Sequence, residues 1–469
     1  MMPLGDILPE IAVILTAVAI LLFATFAPQR TQWIGAPIAL AGIAVAIVLC
    51  ALQIGEARLT FSGSWALDAA STWGRLLILG ATAFTVLLAP NWFEHDRRHG
   101  EYYAMLLFSS LGAMAMAGAA DLLQMVIAAL LSSATGYVLA AYHRDWALSV
   151  EAGMKFFLIG ALANTSLVLG VIMMLGMLGD TGFTAMAAAL SGGGQSPILI
   201  LGTVLVVVGL TYKLGAVPAH AWMPDVAEGA PAPSAAFLTV VPKIGAAIVL
   251  ARLVSLFPAS GIGIRPLIAA IALITMTLGN LAALWQNDMR RMIGWSSVSQ
   301  SGFALMAVTV TGLSASAIPA LLVFLFGYTA GNLAVFGAIV HLRGRTDRND
   351  FAGLASSSPI AATVIIIGLL SLVGIPPLVG FVGKFELFLA TIDGGYIWLA
   401  AVAVANTVVS LFYYLRFVAT MVFDESNKKP ETLGPWSGVA MIAGPTAIIA
   451  LGLFANGLLS PIVQSSLLP

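Results

Sequence analysis

Residues 197–222 read PILILGTVLVVVGLTYKLGAVPAHAW. From Pro197 to Tyr212 the stretch carries no charge; Lys213 then stands alone, with Gly215 and Pro218 just beyond it. A helix needs about 20 mostly apolar residues to cross a bilayer, and this run supplies them. Proline lacks a backbone donor and clashes with the preceding turn, so the helix is predicted to break just past the lysine. Carbonyls freed at membrane depth persist only where protein or cavity water satisfies them. A charge at mid-bilayer costs about 3 kcal/mol or more, so a lysine placed there faces a wet interior and marks function.

The whole chain has the same character. Of its 469 residues 60% are hydrophobic and 9% charged, against about 25% charged in an average soluble domain. A protein so poor in charge has little surface to offer water, and a bilayer supplies the apolar solvent instead. Net charge is −1, which gives no general electrostatic case for nucleic acid. Cys50 is the only cysteine, so no disulfide framework and no cysteine-based metal site forms within the chain. The five histidines are scattered along the chain, and no glycine-rich phosphate loop links a strand to a helix. Neither a metal nor a redox cofactor is expected in this chain. MMPLGDILPE at the start has Asp6 and Glu10 rather than a basic signal-peptide region, so the first apolar run reads as a retained helix.

Fourteen candidate spans follow, at roughly 4–27, 34–54, 72–90, 102–119, 122–142, 150–178, 197–217, 233–257, 264–286, 292–311, 316–341, 358–391, 396–423 and 437–459. The odd-numbered connections hold Arg30, Arg97, Arg98, Arg144, Arg290, Arg291, Arg343, Arg345, Arg348, Lys428 and Lys429; the even ones and their edges hold Arg58, Arg75 and Arg265. Basic residues favour the cytoplasmic side, so both termini are expected outside. In the plasma membrane of a bacterium that side is the periplasm.

Six basic residues remain within candidate spans: Lys155, Lys213, Lys243, Arg252, Lys384 and Arg416. Lys155 and Arg416 lie near helix ends, where long cations reach the interface. Glu151 precedes Lys155 by four residues, the favourable order for a helical ion pair. Arg252, near an outer helix end, reads as structural. Lys213, Lys243 and Lys384 each have long apolar sequence on both sides. Burial disfavours the charged form of an amine, so a buried lysine suits the loading and unloading of a proton.

Lys384 also follows a break, in GIPPLVGFVGKF (374–385). Paired interrupted helices point to an ion path in transporters built from repeats. The two breaks fall in spans seven and twelve. An odd separation of five reverses direction through the membrane, so a five-helix repeat would be inverted. The expected organisation is helices 1–3 in residues 1–101, a first repeat (helices 4–8) in 102–257, a second (helices 9–13) in 258–423, and a C-terminal loop and helix 14 in 424–469. His220 is the best switch candidate, having a near-neutral unperturbed pKa. Asn164, Asn280, Ser296, Ser297, Ser299, Gln300, Asn332 and Asn406 are polar residues that each serve as helix–helix glue or, together, hold a chain of waters.

LGAVPAHAWMPDVAEGAPAPSAAFLTVVPK (214–243) resembles the signature stretch of the antiporter-like membrane subunits of respiratory complex I, in particular the subunit N branch. The resemblance extends through VEAGMKFFLIGA (150–161), NDMRRMIGWSSVSQSGFALM (287–306), NDFAGLASSSP (349–359) and GIPPLVGFVGKFELF (374–388). It implies an all-helical membrane fold of about fourteen helices with two inverted five-helix repeats and broken helices seven and twelve. It implies a proton path through Lys213, Lys243 and Lys384; His220, Gln300, Lys155 and Glu151 are read here as secondary members of that path. NADH, FMN, iron–sulfur clusters and quinone would belong to partner subunits of a proton-pumping NADH:quinone oxidoreductase, and paralogous antiporter-like subunits would be neighbours. Two positions depart from the family pattern. IAALLSS (127–133) puts Ala129 where the family has glutamate, and Gln300 stands where it often has histidine. Three functions stay open at this point: a proton-translocating subunit of a redox-driven complex, a subunit of a multisubunit sodium/proton antiporter, and a related membrane scaffold that has lost transport.

Overall fold

A computed structural model describes residues 3–96, 99–191, 196–258, 263–425 and 430–454, with positions 457, 462, 467 and 468. Of the basic residues that set the expected orientation, Arg97, Arg98, Lys428 and Lys429 lie outside the described residues. The chain runs through α1 (Leu8–Phe26), α2 (Gly35–Ala51), a small hairpin of β1 (Arg58–Thr60) and β2 (Trp65–Leu67), α3 (Ala69–Trp92), α4 (Gly100–Ala117), α5 (Leu122–Ala140), α6 (Ala147–Leu178) and the short α7 (Phe183–Ser191). It continues with α8 (Pro197–Leu214), α9 (Trp222–Gly229), α10 (Ala232–Leu238), α11 (Val241–Ser255), α12 (Ile264–Leu284), α13 (Met289–Thr309) and α14 (Ala317–His341). Last come α15 (Leu354–Ser357), α16 (Pro359–Val373), α17 (Val379–Asp393), α18 (Ile397–Phe423) and α19 (Pro435–Leu453). In β1–β2 the strands are antiparallel, with Arg58 opposite Leu67.

Among the described residues, eleven helices are long and apolar enough to cross a membrane, or twelve if the bent pair Arg348–Ser357 and Pro359–Val373 forms one span. That is fewer than the fourteen expected. Helix is present at every candidate stretch, but α16 and α17 are only 15 residues each. The core lies around α10–α11 and α14. The apolar window of Ala232–Ser255 is 100% buried and that of Ala317–His341 94%, against 33% for α1, α2 and α19. A helix apolar all round belongs either in a core or against lipid, and this bundle has both kinds.

Loops of one parity meet one another. Gln29 Nε2 donates to the Asp96 carbonyl at 3.4 Å, and His143 Nε2 lies 3.0 Å from Asp96 Oδ2. Arg348 N donates to Asn287 O at 2.9 Å, and Arg343 pairs with Glu431 at 2.7 Å. The even connections bond among themselves and with both chain ends. Gln53 Nε2 reaches the Asp6 carbonyl at 3.0 Å, Leu122 N reaches Thr181 O at 2.9 Å, and Leu468 N reaches Asp68 Oδ2 at 2.9 Å. The odd connections therefore share one face of the bundle, and the even ones share the other.

Local sequence explains where helices stop. Ser196 caps α8, accepting from Ile198 N at 3.2 Å, and Pro197 fills its first position. At its other end Gly215 takes φ +66°, and a Cβ there would meet Met223 Cε at 2.4 Å. Gly374, at φ +95°, ends α16 in the same way. Left-handed glycine is the standard helix stop. One stop was not foreseen. The span expected over 233–257 is interrupted at Thr239–Val240, between α10 and α11. There FLTVVPK (237–243) reads as one apolar run, and only Pro242 hints at an interruption.

Candidate functional site

All three lysines expected in the interior sit at helix interruptions, and all are buried, at 3–4% exposure. Lys213 is the next-to-last residue of α8. Its Nζ donates to Ser133 Oγ of α5 at 2.6 Å and lies 5.6 Å from the Tyr212 ring centre. Asn164 of α6 donates to Ser133 Oγ at 3.1 Å and to Tyr137 OH at 3.2 Å. Ala129 is fully buried one turn before Ser133. The nearby Ser132 Oγ has no hydrogen-bond partner among the described residues.

Lys243 lies at the start of α11, three residues after the second interruption. Its Nζ donates to the Ser297 carbonyl at 2.5 Å, Ser297 Oγ at 2.6 Å and Ser301 Oγ at 2.8 Å. Ser297 Oγ is also 2.7 Å from Tyr328 OH of α14, and Tyr328 donates to the freed Thr239 carbonyl at 2.7 Å. Thr239 Oγ1 closes the cluster on Asn332 Oδ1 at 3.1 Å. Ser301 Oγ also reaches the Leu214 carbonyl, the last of α8. One serine thus touches both the Lys243 ammonium and the helix end that carries Lys213.

Lys384 donates to the Val373 carbonyl, freed where α16 stops, at 3.0 Å, and lies over the Phe303 ring at 4.5 Å. Gln300 Nε2 donates to the adjacent Leu372 carbonyl at 3.0 Å. Helix α13 therefore contributes Ser297, Gln300 and Ser301 between the ends of α8 and α16. No carboxylate lies within ion-pair distance of any of the three lysines among the described residues. Hydroxyls can both accept and donate, so they can pass a proton; carbonyls only accept, so a proton crosses such a link only with water.

The remaining candidates fall elsewhere. His220 is half-buried in the loop after α8, beside the Trp295 ring at 5.8 Å, and its side chain bonds none of the three lysines. Lys155 pairs with Glu151 at 2.7 Å as expected, and also with Asp225 of α9 at 3.1 Å. Arg291 joins Asp225 at 2.7 Å and Glu228 at 2.5 Å, so five charges tie α6, α9 and α13 together at the face of the odd connections. Arg416 donates to the Leu284 carbonyl at 2.9 Å and to Gln286 O, capping the end of α12. Arg252 forms a fully buried pair with Asp68 at 2.6 Å. Asn280 and Asn406 bond each other at 3.0 Å, with Tyr413 on Asn280 at 3.0 Å. Among the described residues no three His, Cys, Asp or Glu side chains gather in a way that could hold a metal.

Ser301, Tyr328 and Thr239 were not singled out in the sequence. The spacing of Ser297 and Ser301, four residues apart on one helical face, was the available signal. The pairing of that face with Lys243 requires knowing that α13 packs on α11.

Fold and site together define the class: a multi-pass membrane protein whose apolar bundle encloses lysines bonded to hydroxyls and helix-end carbonyls. Residues 119–410 match the family described as NADH:quinone oxidoreductase/Mrp antiporter, TM, and the chain belongs to that family. It is 41% identical over 431 residues to NADH-quinone oxidoreductase subunit N of Mycobacterium sp. (strain JLS), covering 91% of each chain. Identity to subunit N 1 of Streptomyces griseus is 38%, over 98% of this chain and 97% of that one. Among solved structures, a chain of respiratory complex I from Thermus thermophilus with bound aureothin matches with TM-score 0.84 and 27% identity, over 98% of this chain and all of that one. A chain of the Mrp complex from Dietzia sp. shares the fold at TM-score 0.82 and 20% identity, over 98% of this chain and 97% of that one.

Proposed function

We propose that this chain is the proton-translocating membrane subunit of a redox-driven NADH:quinone oxidoreductase, the counterpart of subunit N. It performs no electron transfer itself. NADH, FMN, iron–sulfur clusters and quinone belong to partner subunits. The observation that carries the reading is the set of three buried lysines, each held by hydroxyls or freed carbonyls rather than by a carboxylate. A structural cation deep in a membrane needs a counter-charge, as Arg252 has in Asp68. A lysine without one is free to exist uncharged and to take up a proton.

In this reading Lys213, Lys243 and Lys384 form the main path, with α13 hydroxyls and water between them. Lys155 and Glu151 lie at the cytoplasmic mouth, and His220 and Gln300 flank the path. The fold is read as fourteen spans, with α8–α9 and α16–α17 as broken helices seven and twelve. Two inverted repeats occupy 102–257 and 258–423, following helices 1–3 in 1–101 and preceding the loop and last helix in 424–469. Both termini lie on the periplasmic side of a bacterial plasma membrane.

The test is mass spectrometry of the subunits that co-purify with the chain from membranes. Iron–sulfur and flavin subunits together with paralogous membrane subunits are expected. Recovery with cation/proton antiporter subunits and no redox subunit would overturn the reading in favour of a sodium/proton antiporter.

A further inference from the structure

Helix α17 presents two unlike faces. Gly383, Lys384 and Leu387 point into the bundle and are buried. Phe381, Phe385, Leu389 and Ile392 point outward at 36–48% exposure, the two phenylalanine rings stacked 5.8 Å apart. Glu386 lies on the flank of this outward face, partly exposed, with no hydrogen bond or ion pair to a described residue. Residues two apart on a helix do not face each other. The same turn therefore sends Lys384 inward and Glu386 outward.

Glu386 has seven helical residues on either side of it. At 1.5 Å per residue that is about 10 Å of helix in each direction, too far for a short carboxylate to reach water as lysine and arginine do. Two other carboxylates within apolar helices are partnered, Glu10 by Arg75 at 3.3 Å and Glu151 by Lys155 at 2.7 Å. An ionised carboxylate against hydrocarbon is costly, and intramembrane acids are normally paired or face a wet cavity. Lipid tails provide neither. A helix of another protein does, if it brings a cation to that depth.

We propose that the outward face of α17 docks a transmembrane helix of a neighbouring subunit that presents lysine or arginine to Glu386. The stacked Phe381 and Phe385, with Leu389 and Ile392, form the apolar seat, and the ion pair fixes register. The surface then lies one helix thickness from Lys384, so the interface and the last lysine of the path share a single turn. This inference rests on the chain's working as one subunit of a membrane complex.

Two measurements test it on the assembled complex. A photo-crosslinking residue in place of Phe385 is expected to join α17 to a peptide from another membrane subunit that contains lysine or arginine within an apolar run. Adducts to lipid only, or to a peptide without a basic residue, would overturn the proposal. In the second, Glu386→Leu is compared with wild type. On a lipid-facing surface leucine is the better residue and the complex would stay intact, which also overturns the proposal. At a charged interface the substitution strands a cation, and co-recovery of the neighbouring subunit should fall at least about ten-fold while the redox subunits remain a separate, intact assembly. If the variant chain fails to accumulate, the crosslink alone decides. An intact, pumping Glu386→Leu complex would sink this inference and leave the proposed function standing; a chain purified with antiporter subunits and no redox subunit would sink the proposed function alone, and one purified with no other membrane subunit would sink both.

Discussion

Lys243 Nζ lies 2.8 Å from Ser301 Oγ, and that hydroxyl also reaches the Leu214 carbonyl at the end of the helix bearing Lys213. The Ser301 hydroxyl has one proton and three neighbours, since the Ser297 carbonyl is also within 3.0 Å. It can accept from the ammonium while donating to one carbonyl or the other. Rotation of a single hydroxyl thus switches the Lys243 network between the α8 side and its own helix.

Ser301→Ala is expected to leave the complex assembled and to slow proton transfer by roughly ten-fold, the size of a lost buried hydrogen bond of about 1–3 kcal/mol. Ser301→Thr, which keeps the hydroxyl, should restore most of the rate. Proton uptake by membrane vesicles driven by NADH checks both. Equal rates in wild type and Ser301→Ala would remove Ser301 from the path.

Ala129→Glu places a carboxylate one turn from Ser133, on the same face of α5 and within the environment of Lys213. An added ion pair worth only ~1.4 kcal/mol shifts a proton equilibrium about ten-fold. Protons moved per electron pair should therefore change, and Lys213→Met should lower them. In an inert scaffold the buried acid would destabilise the chain without altering coupling. If neither variant differs from wild type in an intact complex, Lys213 carries no protons.

Gln300→Leu deprives the Leu372 carbonyl of its donor beside the Lys384 site, and is expected to slow pumping by roughly ten-fold. Gln300→His retains a donor and should pump near the wild-type rate. Both are read from the same vesicle assay, and a fully active leucine variant would refute the role.

Asp68 caps α3 and pairs with Arg252, and also accepts from Leu468 N. Burial pushes its carboxyl upward, but the Arg252 charge and the hydrogen bonds from Arg252, Leu468 and Ser71 outweigh that and hold it below 3.8. A depressed carboxylate stabilises the fold above its unfolded pKa and loses that effect only as pH falls through the folded value. Asp68→Asn should thus lower stability in detergent by about 3 kcal/mol, because Arg252 is left buried and unpaired. The loss should be the same at pH 6 and pH 8. A loss confined to one of them, measured by thermal unfolding, would contradict the assignment.

Much of the site was legible because charge is rare here. In a sequence with 9% charged residues, a lysine inside an apolar run stands out, and glycine with proline beside Lys213 and Lys384 signals the stops at Leu214 and Val373. The break before Lys243 was hidden because Thr239 and Val240 continue the apolar pattern, and what frees the Thr239 carbonyl is its capture by Tyr328 from another helix. The partners of Lys243 and Lys384 were likewise set by packing across helices: Ser301 meets Lys243 from 58 positions away. His220 was singled out in sequence for its near-neutral unperturbed pKa, yet in space it lies beside Trp295 and bonds none of the lysines.

The most direct measurement is the number of protons moved per electron pair in sealed vesicles containing Lys243→Met in a complex shown to be fully assembled. Methionine keeps the length and apolar body of the side chain but removes the amine that joins Ser297 and Ser301. If Lys243 is a station on the path, the ratio falls below that of wild type while the subunit composition is unchanged. A wild-type ratio in the assembled mutant would show that protons do not pass through this lysine.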